Sequence, residues 1–145
     1  MGQSTNGLIA FGMKFEEGEH PDWFDYDEEN EMDFENHVAK AYGLEQPEWD
    51  EENQQPYFDY LDKKRELLDE IGVDIENYCS GDYPMYMLVI KDSVKKANRG
   101  YPTNIGHISL EVNNDWVNKL GAFCRGMGVE FDIKQFDWWL FSYWG

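Results

Sequence analysis

Three features of this 145-residue sequence predict an α+β fold. Runs of strand length recur at 8–13, 73–79, 85–90, 108–112, 129–133 and 136–144, while 34–42, 57–71 and 116–127 carry apolar residues at helical spacing. The expected core is a mixed or antiparallel sheet of five or six strands packed by two or three helices. The third feature is confined charge: residues 16–62 hold eighteen Asp and Glu against one basic residue, Lys40. An acidic loop-helix insertion is therefore expected between the first strand and the long second helix. The length suggests one domain over 1–145, with 16–62 an acidic, aromatic-rich segment and 63–145 a near-neutral scaffold.

Taken in order, Thr5-Asn6-Gly7 is turn chemistry, and Leu8–Met13 is a short apolar run that reads as a strand. From Glu16 to Glu29 like charges crowd around Gly18 and Pro21, so an irregular acidic loop is expected. Phe34, Val38, Ala41 and Tyr42 then share a helical face, with Asp33 as cap and Gly43 as stop. Residues 47–55 form a second acidic linker, and Pro56 suits the start of a long helix. Its inner residues are Tyr57, Tyr60, Leu61, Lys64, Leu67, Leu68 and Ile71, and Gly72 ends it. Lys63, Lys64 and Arg65 partly answer the preceding acids.

Beyond Gly72, Val73–Cys79 alternates as a half-buried strand and Ser80-Gly81-Asp82 turns. Met85–Ile90 is a near-continuous apolar strand, and Ser93–Ala97 reads as another after a tight turn at Lys91-Asp92. Ile108, Leu110 and Val112 alternate with polar residues. Asn113-Asn114 opens a helix carrying Trp116, Val117, Leu120, Phe123, Cys124 and Met127, stopped by Gly128. Val129–Ile133 alternates once more. The ending, Phe136–Trp144, is apolar on both strand faces, as in a central strand or one that keeps a face for a partner.

The bulk numbers exclude several classes. Cys79 and Cys124 are too few and too far apart for a disulfide framework or zinc spacing, so free thiols are expected. The N-terminal region has neither the basic start nor the apolar run of a secretory signal, and Asn6 stands where an acylation pattern needs Ser or Thr. No apolar stretch is long enough to span a membrane. A net charge of −18 opposes docking on anionic lipid or directly on nucleic acid, and favours a basic partner.

Duplex DNA carries about one negative charge per ~1.7 Å of axis, so seventeen excess carboxylates match about eight or nine base pairs. A folded surface of that charge can compete for a groove lined by Lys and Arg, with interleaved aromatics as anchors. The expected partner-binding residues are Glu16, Glu17, Glu19, Asp22, Trp23, Asp25, Tyr26, Asp27, Glu28, Glu29, Glu31, Glu35, Glu48, Trp49, Asp50, Glu51 and Glu52. Trp23, Tyr26 and Trp49 would anchor. The plainer reading is a solvated acidic face kept for solubility, with binding through the C-terminal aromatic strand instead.

Other chemistry is weaker in the sequence. Asp22, Asp25, Asp27 and Glu29 could attract a hard cation, but the run lacks the glycine and distal glutamate of a calcium loop. Cys79 with His107 and Asp82 is a conceivable nucleophile set without supporting spacing. His20 and His37 read as solvated. Lys91, Lys95, Lys96 and Arg99 form a basic cluster read as neutralising the acidic half. No phosphate-binding loop, GxGxxG or GxSxG occurs, so no cofactor and no enzyme activity are expected.

The stretch Cys79-Ser80-Gly81-Asp82-Tyr83-Pro84-Met85-Tyr86 with its following strand, then Ala97 and Arg99-Gly100, resembles small uncharacterised bacteriophage proteins. The Ser4-Thr5-Asn6-Gly7 opening and the Trp-rich end are similar to that group too. In size and charge the chain resembles phage inhibitors that imitate DNA, such as anti-restriction and some anti-CRISPR proteins. The resemblance implies an accessory phage protein in the bacterial cytoplasm, its partner a basic nucleic-acid-binding host protein of defence or DNA processing.

Overall fold

Strand β1, Thr5–Lys14, lies at the centre of a five-stranded sheet in the computed structural model, which describes residues 5–144. Ser4 of the Ser4-Thr5-Asn6-Gly7 opening lies outside those residues. The apolar run of β1 reflects burial on both faces: Leu8, Ala10, Phe11 and Met13 are all buried. Along one edge it pairs antiparallel with β5, Asp137–Trp144, from Thr5↔Trp144 to Gly12↔Asp137. Its other edge is shared by β3, Pro84–Ile90, at Gly12–Lys14 and β4, Lys95–Ala97, at Gly7–Ile9.

The register along β1 slips between β3 and β4 by the three residues of a 3-10 turn, Lys91–Ser93. Ser93 repairs the interrupted ladder. The Phe11 N–H donates to its Oγ (2.8 Å), and the hydroxyl donates to the Ile90 carbonyl (2.7 Å). Gly12 sits where β1 passes between β5 and β3, and a Cβ there would collide with the Leu88 carbonyl, so only glycine fits.

Strand β2, Val73–Ser80, pairs antiparallel with β3 and, at Cys79 and Ser80, parallel with β5. The order is β3-β2-β5-β1-β4, and the additional β3–β1 pairing closes the first four strands on themselves. Ala10, Met87 and Val89 form the centre of one face, flanked by Tyr78, Val94, Trp139 and Phe141. Helix α3, Asn114–Met127, packs against β2 and β3 through Leu120, Phe123 and Cys124. Asn113 caps it and Gly128, at φ +71°, ends it, as their sequence positions predict. Its Trp116 ring sits 5.8 Å from both Phe11 and Trp138.

Two expected strands are absent among the described residues. Residues 98–113 form no regular structure, and Leu110 and Val112 are exposed. Alternation makes a segment able to be a strand, but it does not by itself supply a ladder partner, and this segment pairs with none of the described strands. Glu111 instead gives its carbonyl to Trp138 Nε1 (2.9 Å). Residues 129–133 lead into a 3-10 turn, Ile133–Gln135, because the Asp132 carboxylate and the Gln135 side chain form a capping box. The expected strand from Ser93 shortens to Lys95–Ala97 because Ser93 closes the preceding turn.

The chain divides into two compact units: residues up to His20 together with those from Val73 on, and Pro21–Gly72. The sequence partition at residue 62 falls inside a helix. In the second unit, helix α1, Phe34–Ala41, and helix α2, Gln55–Ile71, follow a 3-10 turn at Asp22–Phe24. The Asp33 carboxylate accepts the Asn36 N–H (2.8 Å), the predicted cap. Pro56 lies at the start of α2 and Gly72, at φ +68°, ends it. Phe24, Phe34, Val38, Ala39, Tyr60 and Leu68 are buried. Ala41 and Tyr42, expected on the inner face, are exposed, and Ala39 is buried beside Phe34 and Val38 instead.

Candidate functional site

Pro21–Gly72 carries eighteen Asp and Glu against four Lys and Arg, a net charge of −14 in one compact unit. Self-repulsion at that density opposes order. Local hydrogen bonds counter it, several of them made by the acids themselves.

The first acidic loop closes through a two-residue bridge. The Asp27 N–H donates to the Met32 carbonyl (2.8 Å) and the Met32 N–H to the Asp27 carbonyl (3.1 Å). The Asp27 carboxylate accepts Asn30 Nδ2 (2.8 Å), the Asn30 N–H (3.2 Å) and the Glu29 N–H (3.0 Å). The Asn30 side-chain bond, then its backbone N–H, hold the Asp27 carboxyl below the usual carboxylate range. Asp27 thereby positions the exposed Glu28, Glu29 and Glu31, the last at φ +51°.

The second acidic segment is tied to α2 by aromatics. Trp49 meets Tyr57 edge-on at 5.2 Å, with Phe58 6.4 Å away, and the Asp50 carboxylate accepts the Glu52 N–H (2.9 Å). Glu48, Asp50, Glu51 and Glu52 are exposed. The basic residues of α2 answer only part of the charge. Arg65 pairs with Asp62 (3.1 Å), whereas Lys64 Nζ donates to Asn36 Oδ1 (3.1 Å), which also accepts Tyr60 Oη (3.0 Å).

The expected binding residues fall on both units. Glu16, Glu17 and Glu19 belong to the sheet unit, where Glu16 pairs with Lys14 (2.7 Å) and raises that ammonium's pKa. Asp22, Asp25 and Glu35 are exposed on the acidic unit. Of the three expected anchors, Tyr26 and Trp49 are more than half exposed, at 60% and 53%. Trp23 is half-buried, stacked on Phe34 at 5.4 Å and edge-on to Phe24 at 4.7 Å, so its ring serves the unit's own core. Phe58, absent from the expected set, is exposed beside Trp49. Its signal was its position off the inner face of α2, next to the acidic linker.

The other candidates are not assembled. Cys79 is exposed at φ +71°, His107 and Asp82 are exposed, and no hydrogen bond joins the three among the described residues. Burial pushes the Cys124 thiol up to about 11, keeping it protonated and inert. No group of three His, Cys, Asp or Glu side chains converges to hold a metal among the described residues. Lys96 of the basic cluster acts on Glu76 within its own unit: burial raises the Glu76 pKa, and Lys96 partly opposes that. No helix among the described residues is long and apolar enough to cross a membrane.

No protein-family profile matches this chain, and neither the curated proteins nor the solved structures contain a significant match.

Proposed function

We propose that the chain is a phage-encoded, non-enzymatic inhibitor that acts in the bacterial cytoplasm on a basic nucleic-acid-binding host protein of defence or DNA processing. The single observation that carries this is the concentration of −14 net charge on one compact unit with its own buried residues. Exposed carboxylates stand in for phosphates, and release of the counterions condensed around them favours binding to a basic groove. Tyr26, Trp49 and Phe58 supply the desolvated contacts that charge alone lacks. The test is capture of the partner from host lysate on the immobilised chain, followed by titration at low and high salt and competition with duplex DNA. The expected partner is basic, is released by salt and is displaced by DNA. A salt-independent complex that DNA leaves intact would refute the proposal.

A second reading is favoured by Leu140, which is 83% exposed on β5 with Trp144 exposed further along the strand. In it the chain is an interaction module that binds through the C-terminal strand, with the acids serving solubility. Because β5 pairs with β1 over its whole length, deleting the strand would break the sheet, so a point change is the appropriate test. Leu140→Asp abolishing capture of the partner would favour this reading; unchanged capture would dismiss it.

A further inference from the structure

The acidic unit contains a cavity of about 470 Å³, lined by Asn36 and Lys40 of α1, by residues 44–48 and by Tyr60 of α2. Met32, Leu44 and Pro47 give it apolar wall, and Glu31, Glu45 and Glu48 add carboxylates to the lining. Lys40, the single basic residue between Pro21 and Asp62, lines the same cavity. Yet among the described residues neither it nor any of the three glutamates makes an ion pair or a side-chain hydrogen bond. Three carboxylates against one ammonium leave the groove with unanswered negative charge next to apolar surface.

We infer that this groove takes an arginine side chain of the basic partner and so fixes the partner's register on the acidic unit. The inference rests on the reading above and names the contact within it. A guest must match both halves of the lining, with an aliphatic stem for Met32, Leu44 and Pro47 and a cationic head for the glutamates. Lysine and arginine both have these parts. Arginine fits better because its planar guanidinium is weakly hydrated and tolerates apolar walls, while its fork of N–H donors reaches carboxylates in more than one direction. A compact, strongly hydrated ammonium loses more water on entering. Exposed carboxylates elsewhere on the unit distinguish the two cations less, because screened point charges attract both, and arginine stacking on the exposed Tyr26 or Trp49 would move residues 22–29 or 49–52 instead of the groove.

The full chain is titrated with two blocked peptides of equal length and charge, one alternating arginine with glycine and the other lysine with glycine. The arginine peptide is expected to bind about tenfold more tightly, the worth of one charge-assisted hydrogen bond. Amide NMR shifts should be largest at Met32, Asn36, Lys40 and Leu44. Gln46→Trp fills the groove without changing charge, and should erase the preference while leaving the lysine peptide's affinity unchanged. Glu48→Gln, at an exposed position without hydrogen bonds, is the companion variant and should reduce the preference with the fold intact. Equal affinity for the two peptides would overturn the inference. So would failure of either to bind, shifts centred on residues 22–29 or 49–52, or a preference that survives both variants. An arginine preference in the groove, together with a partner that DNA does not displace, would overturn the proposed function and leave the groove standing.

Discussion

The sharpest prediction concerns where charge acts. Glu28, Glu29, Glu51 and Glu52 are exposed, and their carboxylates make no ion pair or hydrogen bond among the described residues. Replacing all four with Gln leaves the Asp27 and Asp50 clasps in place, because those use the backbone N–H groups of Glu29 and Glu52. Each carboxylate at the rim of an interface is worth roughly 0.2–1 kcal/mol, so the set is worth roughly 1–4 kcal/mol, about 5-fold to 1000-fold in affinity. The control changes the net charge equally in the sheet unit: Asp82→Asn, Glu111→Gln, Asp115→Asn and Glu130→Gln, all exposed. A contact confined to the acidic unit predicts that the control set shifts affinity by less than about twofold, since screening over a Debye length of about 8 Å at physiological ionic strength weakens charges outside the contact. Titration calorimetry against the captured partner at low and high salt reads both. Equal losses from the two sets would show that total charge governs binding and refute a localised phosphate-like surface; no loss from either would refute the electrostatic mechanism altogether.

Three further outcomes follow from particular hydrogen bonds. Ser93→Ala removes the acceptor of a buried N–H and should cost about 1–3 kcal/mol of stability in denaturant unfolding, since Phe11 lies too deep for water to replace the hydroxyl. Asp33→Ala should cost about 1 kcal/mol, read as lost helicity and faster amide exchange in α1, with β1 to β5 unaffected. For Asp27 the folded carboxyl pKa lies below its ordinary 3.8, so the stabilisation it gives is present above the unfolded value and is lost as pH falls through the folded one. The Glu29 and Asn30 amide shifts should therefore titrate with a midpoint below that ordinary value; a midpoint at or above it would remove the clasp from the account.

What the residues revealed in advance depended on how local the cause was. Asp33, Asn113, Gly72 and Gly128 bound their helices through bonds within a few positions, so α1, α2 and α3 could be read directly. The runs of β1 and β3 were legible because strands buried on both faces need continuous apolar sequence; β5 carries a similar run although none of its residues is fully buried. Ile108–Val112 alternated instead, yet pairs with no strand among the described residues; what such a segment packs or pairs against is decided by residues far away in sequence. Trp23 failed as a free anchor for the same reason. Whether an aromatic in an acidic loop faces solvent or packs inside depends on Phe24 and Phe34, and the composition of its own loop says nothing about them. Location of charge was legible because it is a property of composition; the roles within it were not, since Asp27 and Glu28 look alike as letters.

That difference in roles bears on mechanism. A surface of like charges that had to order itself on binding would lose affinity to conformational entropy and to repulsion at the moment of contact. Here Asp27, Asp33 and Asp50 each turn a carboxylate inward onto backbone N–H groups, and Trp49 braces the second acidic segment on Tyr57. The acids thus divide into those that hold the backbone and those that face outward. Removing a holding acid should raise the ordering cost of binding and weaken even the contacts of its unmodified neighbours. Asp27→Asn should therefore reduce affinity by more than Glu28→Gln, although each removes one charge. Calorimetry that gave equal losses for the two would mean that the loop is ordered without its clasp.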